Sequence, residues 1–454
     1  MQNSTLTPRW PLAVFISIQM IGSTAFAASP KEAVIYSFQG GSDGSYPQAT
    51  LLAGRAGNLY GTTYIGGGGT CQGGCGTVFQ LTPPAAPGGE WTETVLYRFM
   101  GGSDGALPIG GLIFDGAGNL YGTTLFGGGG KCSDGCGTVF ELSPPSAAGG
   151  AWTETILYSF EGVRERDGNG PYGGVVFDKS GNLYGTTYAG GVACSDSGPW
   201  GCGTVFQLSP PATAGNAWAE TVIYRFDPSF YGGPASGLLI DGHGNLYGTA
   251  VNDGFFGEGT AYKLTQATSG AWSRTILHNF GNNSDGGYVY AGLTFGKGGV
   301  LYGATTGYGG EVGDGGTVFQ LTPPTVAGAG WSETLPYVFH SKNGSSEGPY
   351  GALLASPSGA LFGMTNSGGS GTCQVNGWLG CGMVFKLTPP ATAGGAWAET
   401  TLHSFTGGAD GAVPYSGLIF GLGGALYGTT YAGGSGLCSQ TGLAGCGTVV
   451  AIIP

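Results

Sequence analysis

The sequence predicts an all-β protein, a seven-bladed β-propeller with four antiparallel strands per blade. First, the phrase NLYGTT recurs seven times, in full or weakened form, at intervals of 55 to 65 residues. Second, each copy contains four short segments with the composition of strands. Third, 98 of the 454 residues are glycine and 9% are charged, which argues against a helical protein, while 12% aromatic residues argue against disorder. The central aromatic residues of the phrase are Tyr60, Tyr121, Tyr184, Tyr247, Tyr302, Phe362 and Tyr427.

The second copy shows the four segments most clearly. They are GLIFD at 111–115, NLYGTT at 119–124, GTVFEL at 137–142 and WTETILYSF at 152–160. Each is rich in Val, Ile, Thr, Tyr and Phe and is bounded by glycine or proline, and none shows a sustained helical period. We expect this order to run from the inside of a blade to its outside, with the recurring tryptophan packed between blades. Radial closure of seven such sheets leaves few exposed edges.

The two ends of the repeat region predict how the ring closes. The last copy stops after its third strand, at 447–452, whereas 34–38 (VIYSF) has a fourth-strand sequence with no blade before it. The N-terminal strand is therefore expected to complete the last blade. The copies span 48–99, 109–160, 172–226, 235–280, 290–339, 350–405 and 416–453, the last completed by 33–38.

The N-terminus indicates export. Residues 1–27 have the features of a signal peptide, namely Arg9, an apolar stretch at 11–21 and a small-x-small site at 25–27. The remaining residues, 28–454, are expected to form a single propeller in the extracellular space or the periplasm. No later segment approaches the length of a transmembrane helix, and 451–454 show no anchor or sorting signal. The net charge of −12 argues against nucleic acid as a partner.

The repeat unit resembles a known family. The combination of GLIFDxxGNLYGTT, a glycine-rich loop, GTVFxLTPP and WTETVLYSF is similar to the GloVer tandem repeats of the "choice-of-anchor" proteins on bacterial surfaces. The order of the strands within a blade is inferred from the similar phrasing of NHL-type propellers. This resemblance covers nearly all of the chain after residue 27. It implies an exported bacterial protein of undefined activity, and it brings no catalytic residues.

Ten cysteines form five local pairs, all in the loop between the second and third strands. Copies four and five lack both members, which is what a bridge within one loop predicts. Zinc binding is the alternative, but none of the four histidines falls in these loops, so no metal site is predicted there. The predicted disulfides are Cys71–Cys75, Cys132–Cys136, Cys194–Cys202, Cys373–Cys381 and Cys438–Cys446.

Candidate binding residues lie in the connection from the outer strand of one copy to the inner strand of the next. The acids there are Asp43, Asp104, Asp167, Asp285, Glu347 and Asp410. The tyrosines that follow them are Tyr46, Tyr172, Tyr231, Tyr288, Tyr350 and Tyr415. Because these connections leave the sheets on the same face as the cysteine loops, both sets are expected to surround the channel mouth. There, acids could accept hydrogen bonds or bind Ca²⁺, and tyrosine rings could stack on sugars. The alternative is that Asp-Gly merely forms turns.

Candidates for catalysis are sought where the repeat symmetry breaks. Copies four and five have short loops without cysteine that contain Asp253, Glu258, Glu311 and Asp314, which could act as an acid–base pair on a glycan. By contrast, the glutamates that recur in the outer strand, such as Glu154, are expected to be structural. His278 and His403 replace the outer-strand tyrosine and are expected to pack.

Three functional hypotheses follow. The first is a binding module for a glycan or another surface partner, with no cofactor other than Ca²⁺ as a candidate ion. The second is a carbohydrate-active enzyme, a glycoside hydrolase or lyase, that uses carboxylates. The third is a purely structural scaffold of the cell envelope.

Overall fold

The computed structural model describes residues 30–454 except 87, 148, 195–200, 214, 228–232, 282–284, 308–314, 327, 341–347, 376–377, 393 and 440–442. The predicted signal peptide lies outside the described residues. Seven four-stranded antiparallel sheets follow one another along the chain, and in each the strand order is the predicted one. The seven-bladed β-propeller is confirmed.

Each blade runs from a two-residue inner strand to an outer strand of seven or eight residues or, in blade 7, to the N-terminal strand. Blade 1 comprises Leu52–Ala53, Leu59–Thr63, Thr77–Thr82 and Thr92–Arg98. Blade 2 comprises Ile113–Phe114, Leu120–Thr124, Thr138–Ser143 and Thr153–Ser159. Blade 3 comprises Val176–Phe177, Leu183–Thr187, Thr204–Ser209 and Ala219–Arg225. Blade 4 comprises Leu239–Ile240, Leu246–Ala250, Thr260–Gln266 and Trp272–Asn279. Blade 5 comprises Thr294–Phe295, Leu301–Ala304, Thr317–Thr322 and Ser332–Val338. Blade 6 comprises Leu354–Ala355, Leu361–Thr365, Met383–Thr388 and Ala398–Ser404. Blade 7 comprises Ile419–Phe420, Leu426–Thr430, Thr448–Ile453 and Lys31–Ser37.

Smaller elements lie in the connections between strands. Short 3-10 turns precede the inner strands of blades 1 to 3, and others link the first and second strands of blades 1, 5 and 7. Two additional pairs of two-residue strands lie in the connections of blades 3 and 6. The turns are Gly41–Asp43, Arg55–Gly57, Gly102–Asp104, Val163–Glu165, Lys297–Gly299 and Leu422–Gly424. The additional strands pair Gly168–Asn169 with Ala189–Gly190 and Gln374–Val375 with Trp378–Leu379.

The N-terminal strand closes the ring, as predicted. Lys31–Ser37 pairs antiparallel with Thr448–Ile453, with Val34 opposite Val450, and forms the outermost strand of blade 7. The two ends of the propeller are therefore joined by a row of main-chain hydrogen bonds. This pairing covers the edge that the third strand of blade 7 would otherwise expose.

Apolar layers between neighbouring blades hold the ring together. At six of the seven junctions, a phenylalanine that follows the outer strand of one blade packs edge-on or tilted against the aromatic residue in the third strand of the next blade. Phe99 and Phe140 have ring centroids 5.1 Å apart, and Phe38 repeats the contact with Phe79 across the closure. All four rings are fully buried. Burial of each ring contributes about 2–3 kcal/mol from area alone.

The outer-strand tryptophans also pack between blades, as predicted. Four of them contact the tyrosine of the NLYGTT phrase in the preceding blade, for example Trp91 with Tyr427 at 5.8 Å and Trp397 with Tyr302 at 6.1 Å between ring centroids. The recurrence of tryptophan and tyrosine at fixed positions of the repeat thus has a structural explanation.

The glycine of the NLYGTT phrase is required by space. A Cβ atom at Gly122 would lie 2.6 Å from Cζ of Phe140 and 2.9 Å from a methyl carbon of Leu112. In blade 1, a Cβ atom at Gly61 would likewise lie 2.6 Å from Cζ of Phe79. Any larger residue would push the third strand's aromatic ring out of the layer between blades.

All five predicted disulfides are present, with Cα–Cα distances of 5.0 to 5.6 Å. In blade 1 the bridge lies under the turn that follows the outer strand, where a Cβ at Gly101 would be 3.0 Å from Sγ of Cys75. Each such bridge therefore pins a glycine-rich loop to its own blade. Five disulfides indicate an oxidising environment. Among the described residues, no helix is long and apolar enough to cross a bilayer.

Candidate functional site

The acids predicted to ring the channel mouth lie instead beside the outer strands. The Asp43 carboxylate accepts hydrogen bonds from Oη of Tyr36 and from the backbone N–H of Gln39, both at 2.6 Å. Asp104, Asp167, Asp285 and Asp410 have equivalent partners, with histidine in place of tyrosine for the last two. Each carboxylate thus ties its turn to the strand before it. Glu347 lies outside the described residues.

The central channel is lined by the inner strands and the residues just before them. It forms a cavity of about 310 Å³ to which blades 1 to 6 contribute. Glycine, alanine and aliphatic side chains make up most of its wall. Its largest side chains are those of Tyr172, Tyr290 and Tyr350.

These tyrosines belong to a larger group, which we call the tyrosine belt. Five members come from the connections before the inner strands of blades 1, 3, 5, 6 and 7, and three directly follow a second strand. These connections and strand ends meet at the same face. The tyrosine belt consists of Tyr46, Tyr64, Tyr172, Tyr188, Tyr290, Tyr350, Tyr415 and Tyr431. Five of them form a continuous row in the order Tyr290, Tyr350, Tyr415, Tyr431 and Tyr46, with neighbouring ring centroids 4.7 to 5.4 Å apart.

The other three members of the belt belong to blades 1 and 3. The rings of Tyr172 and Tyr188 are 5.2 Å apart, and Tyr64 is close enough to influence the pKa of both Tyr172 and Tyr431. Burial raises the pKa of Tyr64, Tyr188 and Tyr431, so their hydroxyls stay neutral. Tyr172 keeps 39% of its surface exposed, whereas Tyr46 is buried.

The predicted tyrosines divide into three groups. Tyr46, Tyr172, Tyr350 and Tyr415 are in the belt; Tyr288 is half-buried, and its neighbour Tyr290 takes its place; Tyr231 lies outside the described residues. Sequence reasoning missed Tyr64, Tyr188 and Tyr431. These three share a signal, because each directly follows LYGTT in its copy.

A groove adjoins the belt between the disulfide-bonded loops of blades 1 and 2. Its volume is about 770 Å³, and Tyr64 of the belt forms part of its wall together with Leu107 and Phe126. Polar side chains, among them Gln72 and Asp134, line it as well. The groove and the belt thus combine flat apolar rings with hydrogen-bonding groups on one face.

The symmetry-breaking carboxylates of blade 4 have mainly structural surroundings. Asp253 is buried, forms an ion pair with Arg274 and accepts a hydrogen bond from Oγ1 of Thr260 at 2.7 Å. Arg274 stands at the outer-strand position that holds glutamate in most blades, and its guanidinium lies over the ring of Phe226 at 4.9 Å. Asp253 therefore neutralises a buried cation.

Glu258 takes the place of a disulfide. It precedes the Gly-Thr of the third strand, where Cys75 and Cys136 stand in their blades. Its side chain packs against the turn after the outer strand, since a Cβ at Gly281 would lie 2.7 Å from its Cγ. Burial raises its pKa, and one carboxylate oxygen has no hydrogen-bond partner. Glu311 and Asp314, the other two candidates, lie outside the described residues.

Outer-strand glutamates form a second electrostatic feature. Each is half-buried in a crevice between blades, beside the aspartate and the tyrosine or histidine of the preceding blade. Burial, reinforced by the neighbouring aspartate, raises the pKa of Glu93 to about 7 and that of Glu154 and Glu220 to about 8. One carboxylate oxygen of each is buried without a hydrogen-bond partner. Sequence reasoning had treated these positions as structural only.

Comparison with known proteins identifies the family. A family model described as the Gloeobacter/Verrucomicrobia repeat matches residues 22–195 and 191–443. The chain belongs to this family. No curated protein sequence matches it. Membership of the Gloeobacter/Verrucomicrobia repeat family confirms the resemblance drawn from the repeat phrase.

Solved structures share the architecture only loosely. An ulvan lyase, described as a new family of polysaccharide lyase, has a TM-score of 0.48 and 11% identity over 83% of this chain and 88% of its own. A luciferin-regenerating enzyme has a TM-score of 0.42 and 13% sequence identity, and the match covers 81% of this chain and 98% of the enzyme. A protein of unknown function from Dyadobacter fermentans has a TM-score of 0.41 and 11% sequence identity, and the match covers 94% of this chain and 99% of that protein. At these TM-scores, the similarities do not bear on function.

Proposed function

We propose that this repeat propeller binds a glycan through the tyrosine belt and the adjoining groove. The observation that carries the proposal is the belt, a set of eight tyrosines gathered on one face around the channel. Tyrosine combines a flat apolar ring with a hydroxyl, and this combination suits the alternating C–H and O–H surfaces of a sugar. Burial raises the pKa of Tyr64, Tyr188 and Tyr431, so these three phenols act as neutral groups.

The loops beside the belt favour binding over a purely structural role. The Cys71–Cys75 and Cys132–Cys136 bridges hold the two walls of the groove, both of which are rich in glycine. A wall that is already ordered loses little conformational entropy when it binds a ligand. Short glycine loops also present backbone N–H and C=O groups, which can hydrogen-bond sugar hydroxyls.

We infer that the protein works outside the cytoplasm. Five disulfides support this inference, as does the signal-peptide pattern of residues 1–27. Sequencing the N-terminus of the native protein from periplasmic and extracellular fractions tests it. A chain that begins at Ala28 is expected, and an uncleaved cytoplasmic chain would contradict the inference.

A glycan array covering plant, algal and bacterial polysaccharides tests the main proposal, and calorimetry follows on any ligand found, with and without Ca²⁺. Tyr172→Ala and Tyr64→Ala should each weaken binding about tenfold or more, as loss of an aromatic anchor does. Phe255→Ala is the matched control, because Phe255 is 82% exposed and lies in a loop of blade 4. Absence of binding across the array, or unchanged affinity in both tyrosine variants, would overturn the proposal.

One observation favours an alternative, a carbohydrate-active enzyme. Glu258 has a pKa raised by burial and a carboxylate oxygen without a partner, as a general acid requires. Mass spectrometry of polysaccharides incubated with the protein would detect cleavage products. Product formation that stops in Glu258→Gln would support the enzyme. If neither binding nor cleavage occurs with any glycan, the hypothesis of an envelope scaffold gains support.

A further inference from the structure

The crevice between blades 4 and 5 holds three side chains that can bind metal. His278 belongs to the outer strand of blade 4, Asp285 to the following connection, and Glu333 to the outer strand of blade 5. Nε2 of His278 lies 2.9 Å from Oδ2 of Asp285 and 3.6 Å from Oε1 of Glu333. Among the described residues, this is the only group of three such side chains whose ligand atoms all lie within 4.8 Å of one another.

The shorter distance is that of a hydrogen bond, whereas the longer one is not. A single imidazole nitrogen carries at most one proton and can donate to only one carboxylate. Oε1 of Glu333 is accordingly buried without a hydrogen-bond partner, although it points at the imidazole. A tetrahedral ion about 2.0–2.2 Å from each ligand atom holds those atoms roughly 3.4 Å apart, which lies between the two observed distances.

Comparison with the other crevices shows what is particular to this one. A tyrosine stands at the position of His278 in five of the other six blades. In three crevices it lies beside an aspartate and a glutamate, as in the group of Tyr97, Asp104 and Glu154. A neutral phenol donates its proton to the aspartate and is a poor ligand. Exchange of tyrosine for histidine replaces a donor by the imidazole that zinc prefers.

We propose that His278, Asp285 and Glu333 bind a divalent transition metal ion of the zinc type. Three protein ligands leave the fourth position to water, and the site is open to it because the side chains of His278 and Glu333 are 22% and 15% exposed. Ca²⁺ is disfavoured, because it prefers six to eight oxygen ligands. The packing role expected for His278 also holds, since its ring lies edge-on to Phe280 at 4.7 Å between centroids.

The site has a structural consequence. Its ligands come from two neighbouring blades, and these are the two blades without disulfides. A metal ion here would join the outer strands of blades 4 and 5 directly. It would thereby stabilise the sector of the ring that lacks covalent bridges, in the way a metal bound only by the folded state does.

The crevice between blades 6 and 7 offers an internal comparison. It contains the same residue types, His403, Asp410 and Glu32, and His403 lies 3.2 Å from Asp410. The charges of His403 and Asp410 act on Glu32, but the ligand atoms of the three residues do not all lie within 4.8 Å of one another. We therefore expect the metal to bind between blades 4 and 5.

Calorimetric titration of the tag-free, metal-stripped protein with Zn²⁺ tests the proposal. One ion should bind per chain, and Zn²⁺ should raise the unfolding midpoint. His278→Tyr introduces the residue that five other blades carry at this position, and Glu333→Gln keeps the side-chain volume. Both should bind Zn²⁺ at least about 100-fold more weakly, beyond the effect of losing a supporting hydrogen bond. His403→Tyr should bind as the wild type does.

Co²⁺ provides a second readout. Tetrahedral coordination should produce visible d–d absorption in the wild type and in His403→Tyr, but not in His278→Tyr. The proposal would be overturned if the wild type bound no Zn²⁺ up to about 1 mM, where the binding free energy would be only about 4 kcal/mol. It would also be overturned if both His278→Tyr and Glu333→Gln bound Zn²⁺ as tightly as the wild type. A loss of Zn²⁺ affinity in His403→Tyr as large as that in His278→Tyr would overturn it as well. Should one variant fail to fold, the other still decides.

Discussion

Replacing Glu154 by glutamine should stabilise the protein increasingly as the pH rises from about 4.5 to about 8. In the folded protein, burial and the nearby Asp104 raise the pKa of Glu154 from 4.5 to about 8. Between these two values the folded state holds a proton that the unfolded state has released. Stability of the wild type therefore falls as the pH rises through this range and levels off above it. Glutamine resembles the protonated acid and carries no such dependence.

The size of the effect follows from the pKa change. Each tenfold change in an acid dissociation constant is worth about 1.4 kcal/mol, so full desolvation would cost the charged form about 4–5 kcal/mol. Because solvent reaches part of the Glu154 carboxyl group and screens it, we take roughly half of this value. The free energy of unfolding of Glu154→Gln, relative to the wild type, should accordingly rise by about 2 kcal/mol between pH 4.5 and pH 9.

Urea denaturation of both proteins at several pH values between about 4.5 and 9 measures this difference. Glu90→Gln is the matched control, because Glu90 is exposed in the connector before an outer strand. A difference between Glu154→Gln and the wild type that stays constant within about 0.5 kcal/mol across the range would refute the reasoning.

Three further predictions concern the architecture. Gly122→Ala should lower the free energy of unfolding by about 1–3 kcal/mol, because the added methyl group overpacks the core. Gly116→Ala should leave thermal unfolding nearly unchanged, because a Cβ at this position meets no atom within 4 Å. Arg274→Met should cost about 3–5 kcal/mol in denaturant unfolding, because it leaves the buried Asp253 charge uncompensated; a neutral result would contradict that ion pair's role. Deletion of residues 30–37 should open the ring and promote association through the exposed edge, visible by light scattering, and a monomer of unchanged stability would argue against strand closure.

Much of the fold could be predicted because every repeat carries the same local information. The seven copies of NLYGTT established the number of blades, and the misplaced outer-strand sequence at 34–38 predicted the closure. Cysteines that occur in pairs within one loop predicted their own partners. These inferences need only short-range patterns and the requirement that sheet edges be covered.

The candidate site was predictable only in part. Residues such as Tyr172 and Tyr350 could be assigned to the face of the channel mouth, because the direction of each strand decides the face at which its flanking residues emerge. The radial position of a side chain was not accessible in this way. Asp43 and Tyr46 are three residues apart, yet the carboxylate of Asp43 bonds to the outermost strand while Tyr46 joins the belt.

The sequence by itself determined the seven blades and the five disulfides, because each depends on residues close together in one repeat. The order of the strands within a blade came from the resemblance to NHL-type propellers. Only the tertiary structure showed that Tyr290 joins residues from other blades in one belt, and that His278 meets Glu333 across an interface. Those groups depend on contacts between repeats about sixty residues apart in sequence. Copies that look alike along the chain become different sites once the ring brings particular pairs of blades together.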